Sequence, residues 1–377
     1  MKTKGLLVMM MVPFLLGCSG TSEASSSTSQ STITTITDGQ GREVTIDKSK
    51  MNKVICIGAG ALRYYSYIGD MRKVIAVEEI DSETTFGVGQ ALRPYYMANY
   101  DYLKTLPTIG KGGPAAQMAD AEKIAAANPD VVVSFLSADK NTELQNTINK
   151  PVIGLSQGGD GVFDSTTLAS FRVLGEVFNK QDRVNELTSY ILESKVLFES
   201  LEETEDTYYC GGIGNWGQTS MYGTMLNFPV FKYAKLKPAI ASFDDKTKGQ
   251  VTVDMEALQA ADPDHIFMDT AGINGFVSDY NKEGNKAKYD ALKAFKNQET
   301  YLLMPYNAYY SNLEIQLMST YYVASIAHED FNLDLDKKMD EITNKFLGKG
   351  MYNDIKAHKY GLGGYQKTDL TTIDPIQ

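Results

Sequence analysis

The amino-acid sequence predicts an α/β protein of two similar lobes joined by one long helix. Short apolar runs alternate with amphipathic segments, which is typical of parallel strands and the helices that connect them. One unit occurs twice, as AEKIAAANPDVVV at 121–133 and as MEALQAADPDHIFM at 255–268. Residues 183–203 contain neither glycine nor proline. At about 1.5 Å per residue, these 21 residues predict a helix roughly 32 Å long.

The N-terminus predicts a secretory signal peptide over residues 1–17. Two lysines precede an apolar run that is too short for a membrane span and that ends in Leu-Leu-Gly-Cys. This ending resembles a bacterial lipobox, which makes Cys18 the expected site of lipidation. Thirteen of the nineteen residues at 19–37 are Ser or Thr, so residues 18–37 are expected to form a solvated tether. The expected location is therefore extracytoplasmic, on the membrane through a lipid anchor.

Residues 38–181 are predicted to form the N-terminal, Rossmann-like lobe. GREVTID at 41–47 alternates as an edge strand does. Four apolar runs read as strands of a parallel sheet and are separated by segments with helical spacing. The four runs are KVICIG (53–58), KVIAVEE (73–79), DVVVSF (130–135) and PVIGL (151–155).

The bridging helix is predicted over residues 182–204, with Asp182 as its N-cap. Residues 205–377 are predicted to form the C-terminal lobe, in which strands and helices alternate again. Its strands are expected at TYYCGGI (207–213), HIFMD (265–269) and TYLLMPY (300–306). Two helices close the chain, at 311–327 and 335–348. The doubled unit thus lies once in each lobe.

Composition excludes several classes of function. The net charge of −11 argues against nucleic acid as a partner. Beyond Cys18 there are two cysteines, each within an apolar run, and the three histidines are scattered, so no metal site is expected. The sequence contains no GxSxG, HExxH or P-loop motif. We therefore expect no enzymatic activity and no cofactor.

One segment offers an alternative from another class. VICIGAGALR resembles a dinucleotide-binding fingerprint, and Glu78 follows Gly58 by twenty positions, where it could bind a ribose hydroxyl. However, Arg63 replaces the third glycine, and a tight strand-to-helix turn explains the other two. Nicotinamide cofactors are also scarce beyond a secretion signal. A secreted oxidoreductase is thus the disfavoured alternative.

From about residue 33 to residue 359, the chain resembles the lipid-anchored substrate-binding proteins of ABC importers. It is most similar to the class whose lobes are bridged by a single rigid helix and which carries ferric siderophores, haem, cobalamin and some metal species. The lipobox with its tether, the unbroken helix and the doubled Glu…Pro-Asp unit carry this resemblance. It implies a monomer that captures an iron complex and delivers it to a permease dimer and its ATPase. A molybdate-like oxyanion, a corrinoid or haem remains an alternative cargo.

The resemblance also implies roles for particular residues. Glu122 and Glu256, each seven positions before the proline of its unit, are expected to dock into arginine pockets of the permease. The cargo is expected between the lobes, beyond the carboxyl ends of the strands. Aromatic side chains suit a large, flat chelate, and arginines suit an anion. The expected ligand-binding residues are Arg63, Tyr64, Arg93, Tyr96, Gly113, Trp216, Tyr306, Asn307 and Tyr310.

Overall fold

The computed structural model describes residues 32–82, 91–112, 120–214, 220–241 and 249–377 of the 377-residue chain. Within it, Ile33–Gln377 form one compact unit. Cys18, the signal peptide and most of the tether lie outside the described residues. Over the described ranges, no helix has the length and apolar character that crossing a bilayer requires.

The folded part begins earlier than the sequence predicted, because Ile33–Thr37 of the expected tether form strand β1. This strand pairs antiparallel with β2, Glu43–Asp47. Its isoleucines and threonines are β-branched and favour a strand, and Ile36 is buried. The carboxylate of Asp38 fixes the hairpin, since it accepts hydrogen bonds from the backbone nitrogens of Arg42 and Gly154, both at 2.9 Å.

The first sheet is parallel and has the strand order β4-β3-β5-β6. Its strands are β3 (Val54–Ile57), β4 (Val74–Ala76), β5 (Val131–Ser134) and β6 (Val152–Gly154). The helices of this half are α1 (Ala61–Ile68), α2 (Pro94–Leu103), α3 (Ala121–Ala127), α4 (Ala138–Ile148) and α5 (Ser165–Phe178). We refer to this sheet and its helices as the first lobe.

A helix of 19 residues, α6 (Gln181–Glu199), follows the first lobe. It ends five residues before the predicted boundary, with Ser200 as its C-cap, and Thr204 N then donates to Lys235 O. Arg183 near its start donates to the backbone oxygen of Tyr67 in α1, and Ser194 accepts from the hydroxyl of Tyr321. The helix thus contacts elements on both sides, and its role as a rigid bridge stays a prediction.

The second sheet has the order β13-β12-β11-β7-β9, and only β13 runs antiparallel. Its strands, together with the separate antiparallel pair β8 and β10, are β7 (Thr207–Gly211), β8 (Gly223–Leu226), β9 (Lys237–Pro238), β10 (Gly249–Thr252), β11 (His265–Asp269), β12 (Thr300–Leu303) and β13 (Gln366–Lys367). This second lobe also contains helices α7 (Pro229–Tyr233), α8 (Met255–Ala261), α9 (Ile273–Tyr280), α10 (Asn285–Asp290), α11 (Lys293–Lys296), α12 (Leu313–Ala327), α13 (Leu335–Leu347) and α14 (Tyr352–Ala357).

The doubled unit has the same hydrogen bonds in both lobes. Asp120 caps α3 and Asp254 caps α8, each by accepting from the backbone nitrogen three residues later. Both helices end on a left-handed residue, Asn128 with φ 51° and Asp262 with φ 38°. A proline follows each of these residues and prevents the helix from continuing.

The aspartate of each Pro-Asp pair then ties the helix to the start of a neighbouring strand. The carboxylate of Asp130 accepts from Lys53 N at 2.9 Å, and Asp130 N donates to Lys53 O. In the second lobe, Asp264 makes the same two backbone bonds with Thr207. The repeat in the sequence is therefore a repeated connection between a helix and a central strand.

One large core cluster runs through both lobes. Helix α12 lies inside it, and all of residues 313–324 are buried. A helix that is buried on every side must satisfy its polar side chains internally. Two of them bond to the first lobe: Glu314 Oε2 accepts from the Tyr67 hydroxyl, and Gln316 accepts from Val162 N at 2.9 Å.

Candidate functional site

The two predicted docking residues occupy equivalent, exposed positions. Glu122 is the second residue of α3, and Glu256 is the second residue of α8. Both side chains are exposed to solvent. Each lies in the first turn of its helix, where the positive end of the helix dipole favours a carboxylate. The structure thus presents one accessible carboxylate on each lobe, and docking itself stays a prediction.

The loop at 305–312 between β12 and α12 forms the junction of the two lobes. It faces the turn at 58–60 between β3 and α1. A β-carbon at Gly60 would lie 3.1 Å from Cδ1 of Tyr310, so the ring lies directly against the turn. Gly60 has φ 97°, which glycine adopts without strain. Phe135, which follows β5, approaches the same ring, with 5.7 Å between the ring centroids.

Arg63 of α1 crosses this junction and is fully buried. Its Nη1 donates to Tyr309 O at 2.9 Å, and its Nη2 donates to Ala308 O at 2.6 Å and to Asn312 Oδ1 at 2.8 Å. The planar guanidinium suits this arrangement, since it presents several donors in fixed directions. In this structure, the predicted ligand-binding charge of Arg63 is bound by the facing loop.

Glu78, which follows β4, also binds this loop from the first lobe. Its carboxylate accepts from Gly58 N at 3.0 Å and from the Tyr309 hydroxyl at 2.6 Å. Burial raises its pKa to about 7, against the lowering effect of these two bonds. The carboxylate that a dinucleotide enzyme would use for a ribose thus binds the turn of its own lobe.

Arg93 lies in a second buried cluster of the first lobe. Its Nη1 donates to Asp81 Oδ1 at 2.8 Å and to Ile80 O at 2.6 Å. Its guanidinium carbon lies 4.5 Å from the centre of the Tyr96 ring. Burial raises the pKa of Asp81, and the charge of Arg93 opposes that rise. Arg93 and Tyr96 are therefore close together, and both are buried.

The other predicted ligand-binding residues differ in exposure. Tyr64 is buried, and its hydroxyl donates to Gln157 at 2.9 Å. Tyr306 is also buried, against Phe228. Asn307 is partly exposed, and Tyr310 is 41% exposed. Gly113 and Trp216 lie outside the described residues.

Sequence reasoning missed the polar residues that hold the loop at the junction. Asn312 donates to Leu92 O of the first lobe and to Pro305 O of its own loop. Asp269, at the end of β11, accepts from Tyr306 N at 2.8 Å, and burial raises its pKa to about 7. The sequence did contain a signal for these contacts: Glu314 and Gln316 lie within an otherwise apolar helix, and buried polar side chains need hydrogen-bond partners.

A cavity of about 610 Å³ lies at the edge of the second lobe. Asp160, from the loop after β6, lines it together with Lys232 of α7, and the two side chains form an ion pair of 2.5 Å. Of the predicted ligand-binding residues that the structure describes, none lines this cavity. Elsewhere in the described ranges, no group of three or more His, Cys, Asp or Glu side chains is arranged to hold a metal ion.

Comparison with known proteins gives a family match and several similar structures. A family model described as "Periplasmic binding protein" matches residues 54–295, which include strands of both sheets. By sequence, no curated protein matches the chain significantly. A periplasmic solute binding protein from Veillonella parvula DSM 2008 superposes with a TM-score of 0.63 at 15% identity, covering 84% of this chain and 94% of that one.

Two further similar structures are of proteins named for the ligand that they bind. The molybdate periplasmic binding protein MolA of Haemophilus influenzae has a TM-score of 0.62 at 16% identity, over 84% of this chain and 98% of that one. The catecholate-siderophore binding protein VctP of Vibrio cholerae has a TM-score of 0.52 at 19% identity, over 78% and 98%. At these identities, the likeness is one of fold.

Proposed function

Because the chain belongs to the periplasmic binding protein family, we propose that it is the extracytoplasmic substrate-binding component of an ABC importer. The family match over residues 54–295 carries this proposal. Its partners would be a permease dimer and the associated ATPase, with Glu122 and Glu256 as docking residues. In this role the chain binds and releases a cargo as a monomer and performs no covalent chemistry.

We further propose that the cargo is an iron complex of the ferric siderophore type. The residues left accessible at the junction support a large cargo, since Tyr310 offers an exposed ring beside Phe135, and Asn307 offers an amide. A small oxyanion would need positively charged side chains that are accessible to it, whereas the guanidinium groups of Arg63 and Arg93 already bind oxygens of their own chain. A molybdate-like oxyanion, a corrinoid or haem is the alternative.

The proposed cargo contacts are therefore Tyr310 and Asn307, together with Trp216 and Gly113 on sequence grounds alone. Direct contact by the remaining predicted residues would require the cargo to reach side chains that are buried in this structure. Those residues are Arg63, Tyr64, Arg93, Tyr96 and Tyr306. Their role as ligand-binding residues stays a prediction.

Native mass spectrometry of the protein from its own host is expected to find a bound ferric chelate. Tyr310→Ala should weaken binding of that chelate about fivefold, since a stacking contact of about 1 kcal/mol is lost. Tyr310→Phe should bind nearly as well as the wild type, because the ring remains. Both affinities can be measured by quenching of intrinsic fluorescence.

The control is Tyr102→Ala, whose hydroxyl bonds Val74 O at the amino end of β4, away from the junction. For an oxyanion held by the hydroxyl, Tyr310→Phe would be as damaging as Tyr310→Ala. A mass corresponding to molybdate, a corrinoid or haem would replace the iron complex as cargo. A dinucleotide mass would instead support the oxidoreductase.

We also propose that Cys18 carries a lipid that anchors the protein to the membrane. Cys18→Ala should release or misprocess the protein, which fractionation and immunoblotting would show. The unfolding midpoint of the body should not change, because Cys18 is not part of the compact unit Ile33–Gln377. Undiminished membrane retention of Cys18→Ala would contradict the anchor.

A further inference from the structure

The loop at 305–312 contains two consecutive non-glycine residues in the left-handed region. Tyr309 has φ 53° and Tyr310 has φ 76°. Residues other than glycine rarely adopt this backbone conformation. It persists where the surrounding structure enforces it, often at functional sites. Within the loop, Ala308 N donates to Tyr310 O at 3.0 Å, and Asn312 N donates to Tyr306 O at 2.9 Å. The two tyrosines thus form the tip of a tight turn.

The base of this turn is held by its own lobe. Tyr306 N donates to the buried carboxylate of Asp269 at 2.8 Å, and Asn312 Nδ2 donates to Pro305 O at 2.9 Å. Both partners belong to the second lobe, and the Asn312 side chain also bonds Leu92 O and Arg63 of the first lobe.

The tip is held by the first lobe. Arg63 donates to the backbone oxygens of Ala308 and Tyr309, and Glu78 accepts from the Tyr309 hydroxyl. Glu78 is itself fixed by Gly58 N, and both Arg63 and Glu78 are buried. Hydrogen bonds from a charged guanidinium are stronger than neutral ones, and those of Arg63 hold the backbone oxygens on either side of Tyr309, the second of which leads into Tyr310.

We propose that Arg63 and Glu78 are positioning residues of the cargo cleft, which hold Tyr309 and Tyr310 in the left-handed conformation that presents the Tyr310 ring. These bonds cross the boundary between the lobes, so separation of the lobes breaks them and lets the tip relax. Tyr310 then offers its ring to a cargo only when the lobes are together. The last step rests on the proposed function, because it takes Tyr310 as a cargo contact.

Hydrogen exchange without any cargo tests the positioning role. In Tyr309→Phe and in Glu78→Gln, the amides of Ala308 and Asn312 should exchange about ten- to a hundredfold faster than in the wild type. Arg63→Lys should have a similar effect, since one ammonium group cannot replace a guanidinium bonded to three oxygens. The amides of β5 should exchange as in the wild type, and Tyr102→Phe serves as the matched control.

Unchanged exchange of both loop amides in Tyr309→Phe and Glu78→Gln would overturn the proposal. Equal acceleration in β5 would also overturn it, since that result indicates a general loss of stability. Wild-type exchange of both loop amides in Arg63→Lys would also contradict the proposal, because it would show that a positive charge suffices without the three hydrogen bonds of the guanidinium.

A second measurement uses a ferric catecholate complex as the probe. Tyr309→Phe should weaken its binding by up to about fivefold, the loss expected for Tyr310→Ala, although the Tyr309 hydroxyl is bound to Glu78. Faster loop exchange with unchanged affinity would refute the presentation of Tyr310 to the cargo. A wild-type protein that binds no ferric catecholate would count against the iron-complex cargo. The exchange result, which needs no ligand, would still decide whether Arg63 and Glu78 hold the loop.

Discussion

Replacing Glu122 and Glu256 together by arginine is expected to abolish cargo uptake while cargo affinity stays at the wild-type level. Both carboxylates are exposed, and they occupy the same position in equivalent helices, one on each lobe. If they meet arginine pockets on the permease, the substitutions place like charges in contact, which costs several kcal/mol. Uptake should fall by at least about a hundredfold at 1.4 kcal/mol per decade.

Uptake is best measured in cells that carry the variant as their only copy, with affinity measured on the purified protein. The matched control is Glu143→Arg with Glu283→Arg, which makes the same change of charge at exposed positions, one in each lobe. That control should transport normally. Normal uptake by Glu122→Arg with Glu256→Arg, or a loss of its affinity, would contradict the docking assignment.

Arg63→Met is expected to destabilise the folded protein by about 3–5 kcal/mol, because several buried acceptors lose their donor and a buried carboxyl loses a nearby positive charge. Glu314 is fully buried, and burial raises its pKa, an effect opposed by the charge of Arg63 and by the Tyr67 hydroxyl. The substitution also leaves Asn312 Oδ1 and two backbone oxygens without their donor. Urea unfolding, followed by circular dichroism, measures the change.

The double variant Arg63→Met, Glu314→Gln should recover part of this loss, since it also removes the buried carboxylate. Arg72→Met is the control, because Arg72 is largely accessible and packs on the exposed side of Tyr102. It should change the free energy of unfolding by less than about 1 kcal/mol. Equal stabilities of Arg63→Met and the wild type would show that Glu314 does not depend on Arg63.

Features that depend on neighbouring residues were predictable from the sequence. The α/β class with parallel sheets is confirmed, and HIFMD forms a strand with the predicted bounds, His265–Asp269. The ends of α3 and α8 also follow a local signal, namely Asn128 or Asp262 with the proline after it. Strand β9 was missed, since Lys237–Pro238 comprises only two residues and shows no alternation.

The candidate site was predicted less well, because its partners are distant in the sequence. Arg63 was expected to face a ligand, but it binds oxygens of residues 245 to 249 positions later. No local pattern reveals such a partner. Tyr310 was predicted together with Tyr306, although one is exposed and the other is buried. The sequence indicates which residues follow a strand, whereas the burial of their side chains depends on how the facing lobe packs against them.

The bonds from Asp130 and Asp264 fix the ends of α3 and α8 to Lys53, directly before β3, and to Thr207, the first residue of β7. The positions of Glu122 and Glu256 are therefore fixed relative to the sheet of their own lobe. Under the proposed docking, the spacing between these carboxylates reports, on the outer surface, the angle between the lobes inside. A permease whose two basic pockets lie at a fixed distance could then discriminate between closed and open forms without touching the cargo. Recognition would depend on geometry, and the same permease could accept chemically different cargoes that produce the same closure.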